Sequence, residues 1–123
     1  MTILIVDDHM NVRRLIREWL EGEFPECTFI EASTAREAIN YCHDLSPHLV
    51  VMDINLPDTS GIDATSHIKT IRPFTDVVML TVHENGVYRE AAEKAGASAY
   101  VTKRELRENL VPVLNDLISK QGR

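Results

Sequence analysis

The sequence is poor in the features that would suggest a covalent scaffold, a membrane anchor or a nucleic-acid surface. There are two cysteines in 123 residues, Cys27 and Cys42, and they lack metal-ligand spacing. Neither a disulfide framework nor a thiolate metal site is expected, but two free thiols in a reducing compartment. No apolar run approaches the roughly 20 residues that a membrane helix needs. The N-terminus opens directly on an apolar, strand-like run without a basic leader, so no signal peptide is expected and a cytoplasmic location is. Lys and Arg number 13 against 19 Asp and Glu, for a net charge of -6. Phosphate contacts need clustered cations, so direct nucleic-acid binding by this segment is not expected. Repeats, low-complexity tracts and internal linkers are absent. The 44% hydrophobic content is too high for a disordered chain, and the length suits one domain with a single core.

What is present is an alternation of two periodicities. Thr2 to Val6 reads as a short buried strand ending in Asp7 and Asp8. From Val12, apolar residues at Val12, Leu15, Ile16, Trp19 and Leu20 repeat as on an amphipathic helix, broken at Gly22 to Pro25. Thr28 to Ala32 suits a second strand. Thr34 with Glu37 makes a capping box for a helix whose inner face is Ala35, Ala38, Ile39 and Cys42. Further on, Ile62 to Ile71 and Val87 to Ala95 read as helices, the latter stopped by Gly96. Asp76 to Val82 and Ala97 to Thr102 read as strands. A last helix carries Leu110, Leu114 and Leu117; placing its start near Leu106 to Glu108 would bring Pro112 close to the first turn, and an earlier start would imply a kink. Five βα units with short connections call for a doubly wound α/β fold, a parallel sheet covered on both faces.

The centre of this pattern is Leu49 to Gly61, LVVMDINLPDTSG. Its apolar run reads as a strand buried on both faces, so Asp53 should emerge at the C-terminal tip. Pro57 stops the strand, and Gly61 is expected to take positive φ where the loop enters the next helix. Asp7 and Asp8, Asp53, Thr81 and Lys103 all close strands, and ligands of open parallel sheets bind at that edge. Three carboxylates crowded there would repel one another unless a cation were present, and hard oxygen donors suit Mg²⁺. A lysine and a hydroxyl opposite such a metal are what a phosphoryl group requires.

With Asp7-Asp8 after the first strand, D-x-x-x-P-x-x-x-G from Asp53 through Pro57 to Gly61, then Thr81 and Lys103, the chain resembles the receiver domains of bacterial two-component response regulators. The resemblance covers residues 1–119, leaving 120–123 as a tail or the start of a linker. It implies a five-stranded, flavodoxin-like (βα)5 sheet of order 2-1-3-4-5. It also implies that Asp53 accepts a phosphoryl group from a sensor histidine kinase, with Lys103 and Thr81 contacting that group. Mg²⁺ would be held by Asp8, Asp53 and the Asn55 carbonyl, with Asp7 acting mostly through water. Thr81 and Tyr100 would form a two-state switch passing the signal to the face of the fourth helix, fifth strand and fifth helix, with homodimerisation on activation as one output.

Some residues depart from the pattern. Arg104 stands where many receivers have proline, so a cis bond after Lys103 is not expected. Val82 replaces a small residue and could narrow access to Asp53. The Asp7-Asp8-His9 run and the absent Lys-Pro lean toward the subfamily with a C-terminal helix-turn-helix domain, which would supply DNA binding that this segment lacks. Other readings compete. A phosphohydrolase of the haloacid dehalogenase type would need a second Asp where Asn55 stands. A flavin carrier would need Gly, Ser and Thr in the acidic loop Asp7 to Asn11. A docking module that is never phosphorylated would share the fold. His83 is a candidate gate, Trp19 is expected to be core or half-buried, and His9, His43, His48 and His67 read as surface residues.

Overall fold

In the computed structural model, which describes residues 1–121, the two periodicities resolve into five strands and five helices. The strands are β1 (Thr2–Val6), β2 (Thr28–Ala32), β3 (Leu49–Met52), β4 (Asp76–Thr81) and β5 (Ala99–Thr102). The helices are α1 (Met10–Glu23), α2 (Ala35–Leu45), α3 (Gly61–Ile71), α4 (Gly86–Ala95) and α5 (Leu106–Gln121), the last preceded by a 3-10 turn at Lys103–Glu105. All neighbouring strands are parallel, in the order β2-β1-β3-β4-β5. This is the doubly wound sheet with the strand order that the resemblance implied.

Strand side chains alternate between faces, and the core divides accordingly. Leu4, Val6, Val50, Met52, Val77 and Met79 pack on the side of α2, α3 and α4, where small residues (Ala35, Ala38, Cys42, Ala64 and Ala92) let three helices lie close. Ile3, Ile5, Leu49, Val51, Val78 and Leu80 face the other way, against the larger Ile16, Leu20, Phe24, Leu110, Leu114 and Leu117. Val12 and Leu15, read as part of an inner stripe, are 38% and 66% exposed, and half-buried Trp19 joins them on a groove between α1 and Leu106. Only Ile16 and Leu20 of that stripe are buried, because two helices cover less of the sheet than three.

Helix ends follow local chemistry. Thr34 accepts from the N–H of Glu37 at 3.0 Å while Glu37 accepts from the N–H of Ser33 at 2.9 Å, the expected capping box with its return bond shifted by one residue. Gly96 closes α4 at φ +102°. Helix α5 does start at Leu106, but Pro112 is then inside its second turn, leaving the carbonyl of Glu108 without an N–H donor at that position. Lys120 and Gln121 lie in the last turn of this helix; Gly122 and Arg123 lie outside the described residues.

Candidate phosphoryl-acceptor site

The C-terminal edge of the sheet assembles the site because β1 and β3 are neighbours and both end in aspartate. The ladder continues one residue past each strand, with the N–H of Asp7 donating to Ala32 O at 3.1 Å and that of Asp53 to Val6 O at 3.0 Å. Both carboxylates are therefore held by backbone pairing, at 2% and 5% exposure. Lys103, from the turn after β5, reaches back between them: its Nζ donates to Asp7 Oδ2 at 2.8 Å and to Asp53 Oδ2 at 3.1 Å. The other oxygen of Asp53 accepts only a long contact, 3.4 Å, from the N–H of Asn55. Asp8 is exposed beside them, and His9 Nδ1 lies 3.2 Å from both Asp7 Oδ1 and Asp8 Oδ1. Asp7, Asp8, His9 and Asp53 each place one potential ligand atom within 4.8 Å of the others.

One lysine shared between two buried carboxylates does not serve them equally. Burial opposes ionisation of Asp7, but the bonds from Lys103 and from the N–H and ring of His9 outweigh it and hold this carboxyl below its ordinary value. For Asp53 burial wins: despite Lys103, and with Asp7 adding repulsion, its carboxyl is pushed above the ordinary value. Lys103 loses hydration, yet its two anionic partners raise it further above its usual range. Two anions around one cation leave a buried deficit of positive charge, which oxygen-seeking cations relieve.

The loop behind Asp53 is closed by a glycine, though not for the reason the sequence suggested. Gly61 does not adopt positive φ. Instead its N–H donates to Ile54 O at 2.8 Å, and the chain passes so close to the strand tip that a Cβ would stand 1.9 Å from Asp53 O. The requirement is space. In the same loop Asp58 accepts from the N–H groups of Ala35 and Arg36 at 3.0 and 2.9 Å, so it caps α2 and ties that helix to the segment following Asp53.

The sequence profile of the response regulator receiver domain matches residues 3–115. The chain belongs to the response regulator receiver domain family. It is 35% identical to the chemotaxis protein CheY of Halobacterium salinarum over 117 residues, 95% of this chain and 96% of that protein. It is 31% identical to the response regulator UvrY of Escherichia coli over 121 residues, 98% of this chain but 56% of the relative. Among solved structures, a LuxR-family two-component response regulator from Aurantimonas sp. superposes with a TM-score of 0.90 at 34% identity, covering 97% of this chain and 85% of that one.

In this receiver the remaining residues singled out in the sequence fall around the same edge. Thr81 is fully buried at the tip of β4, and its Oγ1 accepts from the N–H of His83 at 3.3 Å. Tyr100 is half-buried on β5, donates its hydroxyl to His83 O at 2.7 Å, and lies under the Arg89 guanidinium at 4.6 Å. Asn55 is exposed and Val82 is 61% exposed. The peptide after Lys103 is trans, as Arg104 implies. His9, His43, His48 and His67 are exposed, as read, while His83 is half-buried.

Two supporting residues had escaped notice. Arg13 donates to the carbonyl of Asp7 at 2.6 Å and to Glu31 at 2.7 Å, and Arg17 also pairs with Glu31, so α1 and β2 together fix the backbone of the acidic pair. Asp58 is the other. Neither belongs to a motif: the Arg13–Glu31 and Asp58–Ala35 contacts span 18 and 23 residues, which no local pattern reports.

Proposed function

We propose that Asp53 of this receiver accepts a phosphoryl group from a histidine kinase. The observation that carries this reading is the buried Asp53 carboxylate, with one oxygen held by Lys103 and the other nearly free. The free oxygen is the nucleophile; the lysine is placed to follow charge onto a phosphoryl oxygen as it develops. Asp7, Asp8 and Asp53 offer only hard oxygen donors, which fit Mg²⁺, and the Asn55 carbonyl would complete the protein's share. Bound there, Mg²⁺ would neutralise charge on the acidic site and on a phosphoryl donor. Thr81 hydroxyl and Tyr100 are the residues positioned to report the change, toward the surface of α4, β5 and α5. No helix among the described residues is long and apolar enough to cross a membrane.

The relatives support an output in transcription. UvrY extends well beyond the matched region, and the Aurantimonas protein is of the LuxR family. We assign this receiver to the regulators that act on transcription through a separate DNA-binding segment, with homodimerisation as the step that activation favours.

The deciding experiment is intact mass after incubation with acetyl phosphate or a phosphorylated histidine kinase, with and without Mg²⁺, beside Asp53→Asn. A Mg²⁺-dependent phosphoryl adduct that disappears in the variant is the expected result. No adduct from either donor would leave the docking module as the better reading.

A further inference from the structure

His83 touches both arms of the site and the helix beyond it. Its ring Nε2 lies 3.0 Å from Asn55 Oδ1, bridging the loops that follow the adjacent strands β3 and β4. The Asn55 oxygen can only accept, so Nε2 carries the proton and donates. Its backbone N–H donates to Thr81 Oγ1 at 3.3 Å, and its carbonyl receives the Tyr100 hydroxyl at 2.7 Å. The ring also stacks on Tyr88 of α4, with centroids 4.1 Å apart and planes at 18°. Asn55, Thr81 and Tyr100 were each singled out independently of His83, and all three converge on it.

We propose that His83 is a positioning residue that clasps the two loops beside Asp53 and transmits their rearrangement to α4 through Tyr88. This rests on the phosphoryl-acceptor reading of Asp53. If the Thr81 side chain turns toward a group on Asp53, the His83 N–H loses its acceptor. The backbone at His83 then readjusts while its ring remains bound to Asn55 on one side and packed against Tyr88 on the other. Asn55 is next but one to Asp53, so the ring senses the site from both loops. Because the ring spans the loops, it also restrains the entrance to Asp53. A backbone carbonyl is present whatever the side chain, so the Tyr100 bond is separable from the clasp.

Three tyrosines make the test direct: Tyr88 and Tyr100 report, and Tyr41 on α2 serves as the reference. Fluorotyrosine-labelled wild-type protein, His83→Ala and His83→Gln are compared by ¹⁹F NMR with and without Mg²⁺ and acetyl phosphate. Intact mass is recorded on the same samples. In the resting proteins, both variants should move the Tyr88 resonance relative to Tyr41. With the donor, the wild type should shift Tyr88 and Tyr100 together, whereas both variants keep the Tyr100 response and lose at least about half of that at Tyr88. Adduct formation should be about five-fold faster in His83→Ala, the size expected for one lost hydrogen bond. It should return toward wild type in His83→Gln, whose amide can still donate to Asn55. An unchanged Tyr88 resonance in resting His83→Ala, or a full Tyr88 response in the phosphorylated variant, overturns the proposal. The resting arm needs no phosphoryl group, so a wild type that forms no adduct sinks the acceptor reading while the stack is still judged on its own.

Discussion

The sheet carries one aspartate at the end of β3 and another at the start of β4, and the two live under opposite regimes. Asp76, at the N-terminal edge, has one oxygen bonded by the Ser98 hydroxyl and the other by the Gln121 amide, both at 2.7 Å. Around it the Lys69 ammonium satisfies the carbonyls of Pro73 and Thr75, and the Thr75 hydroxyl that of Pro47. Both Asp76 oxygens there have a donor at ordinary hydrogen-bond distance, and no second carboxylate competes for it. Asp53, at the C-terminal edge, is more deeply buried, shares the Lys103 ammonium with Asp7 and leaves one oxygen almost without a donor. The contrast separates a carboxylate that holds strands in place from one that, under the proposed function, is kept ready for phosphoryl transfer. An incompletely satisfied buried group costs stability, and such costs persist where function needs them.

The sharpest way to break this contrast is Gly61→Ala. The new Cβ collides with Asp53 O, and a collision with backbone is relieved only by moving the strand tip. We expect a loss of about 2–4 kcal/mol and impaired phosphoryl uptake, read by denaturant unfolding and intact mass. The same substitution at Gly22, where nothing lies within 4 Å, should affect neither measurement adversely.

Next comes a pair of variants that should act with opposite signs. Asp76→Ala removes both bonds at the satisfied edge and should cost about 1 kcal/mol without affecting the adduct. Asp53→Asn should instead raise the melting temperature by about 3 °C in metal-free buffer, while abolishing the adduct. Its pH dependence follows from the raised carboxyl of Asp53, caused first by burial. The ionised group is less favourable in the folded than in the unfolded chain. That penalty is absent below the ordinary carboxylate value and complete above the raised one, so the advantage of Asn should grow as pH rises through that window. A melting temperature that falls in Asp53→Asn at neutral pH would remove the distinction between the two edges.

The smallest effect is expected at Asp58, which belongs to the site loop but behaves like the satisfied edge. Its carboxyl is held below the ordinary value by the N–H groups of Arg36 and Ala35 against little burial. The stabilisation is therefore present above the ordinary value and lost as pH falls through the lowered one. Asp58→Ala should lower the melting temperature by about 2 °C at neutral pH, with the difference closing in acid. Thermal melts across the acid range decide it.

Much of this was legible from pattern. Continuous apolar runs at β3 and β4 and helical repeats between them placed nearly every element, because burial on both faces forces composition. Asp7, Asp8, Asp53, Thr81 and Lys103 were readable as one edge because parallel strands all end on the same side. The reading of Gly61 as a φ requirement erred because a glycine demanded by space looks identical in sequence to one demanded by torsion. Val12 and Leu15 looked internal because periodicity defines a stripe but not how much of it a neighbouring helix covers.

The sequence by itself determined the five βα units, the two-faced core and the set of polar residues that ends the strands. Tertiary structure alone decided how those residues divide their partners: that Lys103 is shared by Asp7 and Asp53, that Asp58 caps α2, and that His83 joins Asn55, Thr81 and Tyr100. Periodicity is a local record of which side chains avoid water. The sharing of one ammonium between carboxylates 96 and 50 residues away is set by distance and burial, which exist only once the chain has closed.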